Sequence, residues 1–310
     1  MIRLGGPVFP TSDDPAELVR LHQEMGFSAA YVPPMKDAVR LKDALAALTA
    51  ADILIAEVGA YNINILDTDE KRRRQNIEAI KQWLAFADEI GAACCVIHGG
   101  TVETGGWGES SAANFSKEAF EKTVAAAQAI LDDVQPRRAK LAMEAGSCQL
   151  PDGPEEYLAL LKAIDRPGFG VQLDPVNMIS SPRRFFFNGD FLRQCFALLG
   201  PHIVCAHAKD VMLGEQEPVQ LIECLAGQGQ LDYRAYLLEL SKLHKEPKVL
   251  PDQLTKTFQI DLKKFYARQS PPLMIAGVSG IRQCRTARDF ILRVAEEVGV
   301  SIWGIEKAKA

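Results

Sequence analysis

Short apolar runs rich in β-branched residues alternate along this chain with longer stretches in which apolar side chains recur every three or four positions. The first pattern belongs to buried strands and the second to amphipathic helices, and their alternation predicts βα units around a parallel sheet. Eight strands can be marked: IRLGGPV from Ile2, SAAYVPP from Ser28, GAYNINI from Gly59, ACCVIHGG from Ala93, KLAMEAG from Lys140, FGVQLDP from Phe169, IVCAHAKD from Ile203 and PLMIAGV from Pro272. Between them lie helical segments such as DPAELVRLHQEMGF, EAIKQWLAFADEIGA, PEEYLALLKAID and DYRAYLLELSKLH. Asp14 before Pro15, Asp152 before Pro154 and Asp190 before Phe191 supply helix start signals.

Eight such units in 310 residues fit a single (β/α)8 TIM barrel, an α/β domain spanning 1–310. An open doubly wound sheet would carry a GxGxxG loop after its first strand, and LGGPVFP is not one. Residues 245–271 form a long insertion between helix seven and strand eight. The formal charge of -5 is spread along the chain, which argues against a nucleic-acid partner. The one dense basic run, Lys71 to Gln75, opens a helix and reads as a solvated face. Seven cysteines, odd in number, without CxxC and mostly in apolar runs, predict reduced buried thiols. No apolar window suits a signal peptide or a membrane span, so the expected place is the cytoplasm, away from membranes.

Functional groups of a parallel barrel collect at the C-terminal ends of its strands. The polar residues there are Asn62 and Asn64 on the third strand, His98 on the fourth and Glu144 on the fifth. Asp174 with Asn177 follow on the sixth, and His207, Lys209 and Asp210 on the seventh. Glu144, Asp174 and His207 close successive strands at a similar height. Two carboxylates and an imidazole lone pair repel one another unless a cation joins them, so the set predicts one divalent metal: Mn, Co, Mg, Fe or Zn. Each residue also has an ordinary role open to it: a turn cap for Asp174, an acceptor of backbone N–H for Glu144, a satisfied core histidine for His207. His98 precedes a Gly-rich loop that could let a ligand approach the backbone, or simply make turns. Trp107 in that loop is a platform for a sugar ring or a loop anchor. Lys209 shares a strand face with His207 and could hold a substrate oxygen or pair with a carboxylate.

The motifs LAMEAG, GVQLDPVNMI, CAHAKD and GQGQLDY resemble the xylose isomerase-like sugar phosphate isomerase/epimerase superfamily, which includes endonuclease IV. The resemblance runs from Ile2 to about Tyr236 and resumes at Pro272. It implies Glu144, Asp174 and His207 as metal ligands and Glu144 also as the group exchanging a proton with substrate; from their own positions His98, Trp107 and Lys209 are expected to contact the substrate, and so is Asn177. The implied reaction is isomerisation or epimerisation of a sugar, keto sugar or cyclitol through an enediolate, or a related dehydration. Two departures bear on it: Asn177 stands where many members have a histidine, and PLMIAGVSG has Ala276 and Gly277 where a metal-binding glutamate is expected. Asp252 or Asp261 of the insertion could fill that gap. The missing glutamate keeps open a non-catalytic sugar- or metal-binding protein of the same fold. An endonuclease IV-like phosphodiesterase is disfavoured by five histidines and an acidic chain. A homo-oligomer is left open.

Overall fold

The computed structural model describes residues 1–102, 109–243 and 270–305. Eight parallel strands close into a barrel: β1 (Leu4–Gly5), β2 (Ala29–Tyr31), β3 (Leu54–Gly59), β4 (Cys94–His98), β5 (Lys140–Glu144), β6 (Phe169–Leu173), β7 (Ile203–Ala208) and β10 (Leu273–Ile275). Two further strands among the described residues, β8 (Asp210–Leu213) and β9 (Leu221–Cys224), pair as an antiparallel hairpin beyond the end of β7. Around the barrel run α1 (Pro15–Glu24), α2 (Ala38–Ala50), α3 (Glu70–Ile90), α4 (Lys117–Val134), α5 (Pro154–Ile164), α6 (Pro175–Met178), α7 (Pro182–Phe186), α8 (Asn188–Leu199), α9 (Tyr233–Lys242) and α10 (Ile281–Glu297). Among the described residues, no helix is long and apolar enough to cross a membrane.

The helix starts follow from side-chain chemistry. Asp14 caps α1 by accepting the Ala16 N–H at 2.9 Å, as its position before Pro15 predicts. At α5 the cap is Gly153, with no side-chain bond, so Asp152 does not play that part. The eighth helix begins at Asn188, three residues earlier than expected, and Asp190 lies in its first turn, where a negative charge complements the helix dipole. The Lys71–Gln75 run is the mostly exposed start of α3.

Alternation along the strands builds two apolar layers. One set of side chains, including Ile55, Ile97, Leu141, Val171 and Ala206, packs outward against the helices; Ala29, Ala56, Cys94, Val96, Ala142, Cys205 and Met274 fill the barrel. Small residues dominate the inner set, which leaves the interior able to admit polar side chains beneath the mouth.

The third strand lies earlier than the apolar pattern suggested. It is Leu54–Gly59, and GAYNINI from Gly59 is mostly the loop that follows it. In that loop Asn62 takes a left-handed backbone at φ 61, a conformation asparagine tolerates better than most residues. Asn64 is a structural clamp: its amide donates to the Thr101 carbonyl at 2.8 Å and accepts the Thr101 N–H at 3.0 Å. Neither asparagine belongs to the site. The β2–β3 register shifts between Ala30, which pairs with Ile55, and Tyr31, which pairs with Glu57. This bulge lets Ala56 and Glu57 both face the interior.

Candidate active site

His98, Glu144, Asp174 and His207 stand at the C-terminal ends of four consecutive strands, each on an inward-facing position. Glu144 ends β5 in register with His98 on one side and Gln172 on the other. Asp174 follows the last residue of β6 and is fully buried. One of its oxygens, Oδ1, caps α6 by accepting the Val176 N–H at 3.1 Å. Pro175 begins that helix, where its missing N–H costs nothing. The other oxygen, Oδ2, is left for the mouth.

There it meets its two partners. His207 Nδ1 lies 3.4 Å from Asp174 Oδ2 and 3.4 Å from Glu144 Oε1. One donor atom from each of Glu144, Asp174 and His207 falls within a 4.8 Å span. Asp174 Oδ2 and His207 Nδ1 are buried without a hydrogen-bond partner. With a lone pair on Nδ1 the two atoms would repel each other at this depth, a cost that the ion pair of Lys209 with Oδ2 offsets only in part.

The other face of the histidine reveals a residue that strand-end reasoning missed. Glu57, 2% exposed, receives His207 Nε2 at 3.2 Å on Oε2 and 3.4 Å on Oε1. The Tyr61 hydroxyl donates to Glu57 Oε1 at 2.6 Å and the Cys205 thiol to Oε2 at 3.5 Å. Burial alone would raise the Glu57 carboxyl; the His207 ring and these hydrogen bonds outweigh it and hold the group below its ordinary value. A lone carboxylate inside ILIAEVGA was the available signal.

Charge bookkeeping tests whether a cation fits. Glu57, Glu144 and Asp174 bring three formal negative charges into the barrel, against one positive charge on Lys209, which leaves an excess of two. Burial works to keep His207 neutral, while Glu57, Asp174 and Glu144 pull its pKa well above the usual histidine value. A divalent ion between Glu144, Asp174 and His207 would cancel the excess with a neutral ring and satisfy both orphaned atoms. The residues fit the group.

Of the remaining sequence-predicted residues, His98, Asn177 and Lys209 line a cavity of about 670 Å³ together with Tyr31, Tyr61, Glu144, His207 and Ala276, among others. His98 Nε2 is 3.7 Å from Glu144 Oε2, and its ring packs edge-on against Tyr61 with centroids 5.4 Å apart. Burial lowers its pKa, favouring a neutral imidazole. Asn177 donates to Glu144 Oε1 at 2.9 Å. Lys209 lines the cavity and is also an ion-pair partner: Nζ is 3.0 Å from Asp174 Oδ2, a contact without hydrogen-bond alignment, and 3.0 Å from Glu223 Oε2 on β9. Burial opposes its charge, yet Asp174, Glu144 and Glu223 keep its pKa above the ordinary lysine value.

Asp210 is structural. Its carboxylate accepts the backbone N–H groups of Val211, Gly227 and Leu231, each at 2.9 Å. Ala276 faces the cavity and brings no donor. Among the described residues, Glu223 is the carboxylate set against that strand end: a Cβ on Gly277 would lie 2.9 Å from Glu223 Oε1. Trp107, Asp252 and Asp261 lie outside the described residues, as does most of the 245–271 insertion.

A family model described as xylose isomerase-like TIM barrel matches residues 19–250. No curated protein matches the sequence. In three dimensions the chain is similar to endonuclease IV from Thermus thermophilus, at 15% identity over 95% of this chain and 99% of that one, with a TM-score of 0.65. It is similar to 3-keto-D-glucoside 4-epimerase from E. coli in its apo form, at 13% identity over 96% and 100% of the two chains, TM-score 0.64. A xylose isomerase-like TIM barrel protein from Mycobacterium smegmatis in complex with magnesium aligns at 12% identity over 96% and 97%, TM-score 0.61. At these identities the likeness shows the fold.

Proposed function

This chain belongs to the xylose isomerase-like TIM barrel family, and from that premise we propose that it is a divalent-metal-dependent isomerase or epimerase of a sugar, keto sugar or cyclitol. The observation that carries the reading is the convergence of Glu144, Asp174 and His207 with two buried donor atoms unsatisfied. The similarity to a sugar epimerase supports the substrate class. A bound divalent ion would polarise a substrate carbonyl and lower the cost of removing a proton from the adjacent carbon.

The chain's own residues divide the remaining work. Asn177 holds Glu144 Oε1 at 2.9 Å, so Oε2, on the His98 side, is the oxygen placed to take and return a carbon-bound proton. Neutral His98 offers a hydrogen bond to a substrate oxygen beside it. Protonated Lys209 holds Asp174 as a carboxylate and presents its remaining N–H groups to the cavity. Among the described residues Ala276 stands in place of a strand-eight carboxylate, and on that basis one base both removes and returns the proton. That favours transfer between neighbouring carbons on one face, an aldose–ketose interconversion, over inversion at a single carbon, which needs a donor on the opposite face.

Incubation of keto sugars, aldoses and cyclitols with the Mn²⁺-loaded protein in D₂O tests this by NMR. We expect deuterium to enter the carbon next to the carbonyl and Glu144→Gln to abolish its entry. Failure of the protein to bind Mn²⁺, or exchange that survives Glu144→Gln, would remove the proposal.

A further inference from the structure

We infer that Glu57 is the positioning residue that aims His207 Nδ1 at Glu144 and Asp174. The inference rests on the metal-site reading above and extends it into the barrel interior. The two nitrogens of an imidazole point in different directions, and a half-turn of the ring about Cβ–Cγ puts the carbons Cδ2 and Cε1 where Nδ1 and Nε2 stood. Whatever grips one nitrogen therefore decides where the other points.

Glu57 grips Nε2 at 3.2 Å, from inside the barrel, while Nδ1 sits 3.4 Å from each of the two mouth carboxylates. The grip is itself fixed on both oxygens, by Tyr61 at 2.6 Å on Oε1 and Cys205 at 3.5 Å on Oε2. The His207 backbone is tied down independently, its carbonyl accepting the Tyr236 hydroxyl at 2.8 Å. A carboxylate behind a ligating imidazole fixes ring orientation and strengthens the lone pair on the far side. The β3 bulge is what makes this possible: with regular alternation after inward-facing Ala56, residue 57 would point at the helices. The chain therefore interrupts a strand to place a charge where barrel interiors ordinarily hold aliphatic side chains.

A purely structural carboxylate, kept only to satisfy Tyr61 and Cys205, predicts different behaviour on substitution. The test uses the full-length protein, Glu57→Gln, which preserves shape, and Tyr61→Phe, which frees Oε1 without touching His207. Mn²⁺ alone is titrated and followed by its electron paramagnetic resonance. In the metal-free proteins with ¹⁵N-labelled histidine, the Nε2–H of His207 is followed by NMR.

We expect Glu57→Gln to weaken Mn²⁺ binding by about 10–100-fold, the range for loss of a partner behind a ligand, and to shift the Nε2–H signal and speed its exchange. Tyr61→Phe should move both in the same direction by less. Unchanged affinity together with an unmoved Nε2–H in Glu57→Gln would overturn the inference. If the unsubstituted protein binds no Mn²⁺, the metal-site reading fails by itself, and the Nε2–H signal alone decides whether Glu57 orients the ring.

Discussion

The barrel has two unequal arcs. From β3 to β7 the strands run for five or six residues each, and β4 and β5 stay in register from Cys94–Lys140 to His98–Glu144. From β10 through β1 to β2 they run for three, two and three residues, and β1 meets β2 at the single pair Gly5–Ala29. Glu57, His98, Glu144, Asp174 and His207 all belong to the long arc or its ends. The short arc contributes Tyr31, whose hydroxyl is spent on the Ile275 carbonyl, and Ala276, which has nothing to donate. Closing a barrel demands only enough pairing to remove the sheet edges. Holding donors within fractions of an ångström demands long, mutually registered strands.

The division can be broken from either side. The largest effect belongs to the long arc. Glu144→Gln should weaken Mn²⁺ binding by more than about 100-fold, beyond the range for loss of an outer partner. It should also change urea-unfolding stability of the metal-free protein by less than about 1 kcal/mol, because it relieves repulsion among crowded carboxylates while keeping their shape. The short arc should show the reverse. A Cβ at Gly5 would lie 2.5 Å from the Ala29 carbonyl oxygen and 2.6 Å from Met274 Sδ, so Gly5→Ala should cost about 1–3 kcal/mol of stability and leave Mn²⁺ affinity as it was. The smallest change sharpens the comparison by moving chemistry across the boundary. Ala276→Glu gives the short arc a donor at the cavity wall and should tighten Mn²⁺ binding by less than about tenfold, because a three-residue strand holds a ligand loosely. Tightening well beyond that would show that strand length does not limit the site.

The long arc was the more legible half in sequence, for a physical reason. Glu144, Asp174 and His207 each terminate an apolar run with a group that has no reason to be buried alone, and equal spacing along βα units makes their meeting a matter of geometry. Lys209 offered two readings, and the structure places it both against the cavity and between two carboxylates.

The third strand was illegible because no glycine or proline punctuates the junction after α2. The turn is made by Asp52 at φ 60, a left-handed conformation supported where its carboxylate takes Arg3 at 3.2 Å and the Trp303 indole N–H at 3.3 Å. Those partners lie 49 and 251 residues away, so no local pattern announces the stop. Glu57 was hidden a second time by the bulge, since a period of two cannot place adjacent residues on one face. The β8–β9 hairpin that brings Glu223 to Lys209 was likewise silent, because VMLGEQEPVQLIEC lacks the Asn-Gly or Asp-Gly signature of a tight turn.

One side chain gathers the base of that hairpin. Asp210 holds the backbone at 211, 227 and 231 through three hydrogen bonds to two oxygens, and Gly229 passes so close that a Cβ there would lie 2.3 Å from Asp210 Oδ1. The first arm of the hairpin and the turn after the second thereby meet on one carboxylate. A shared anchor of this kind favours cooperative local opening, so the amide hydrogens of residues 211, 227 and 231 should exchange with solvent at a common rate that Asp210→Asn raises; an opening there would release Lys209 from Glu223 and leave its contact with Asp174 in place.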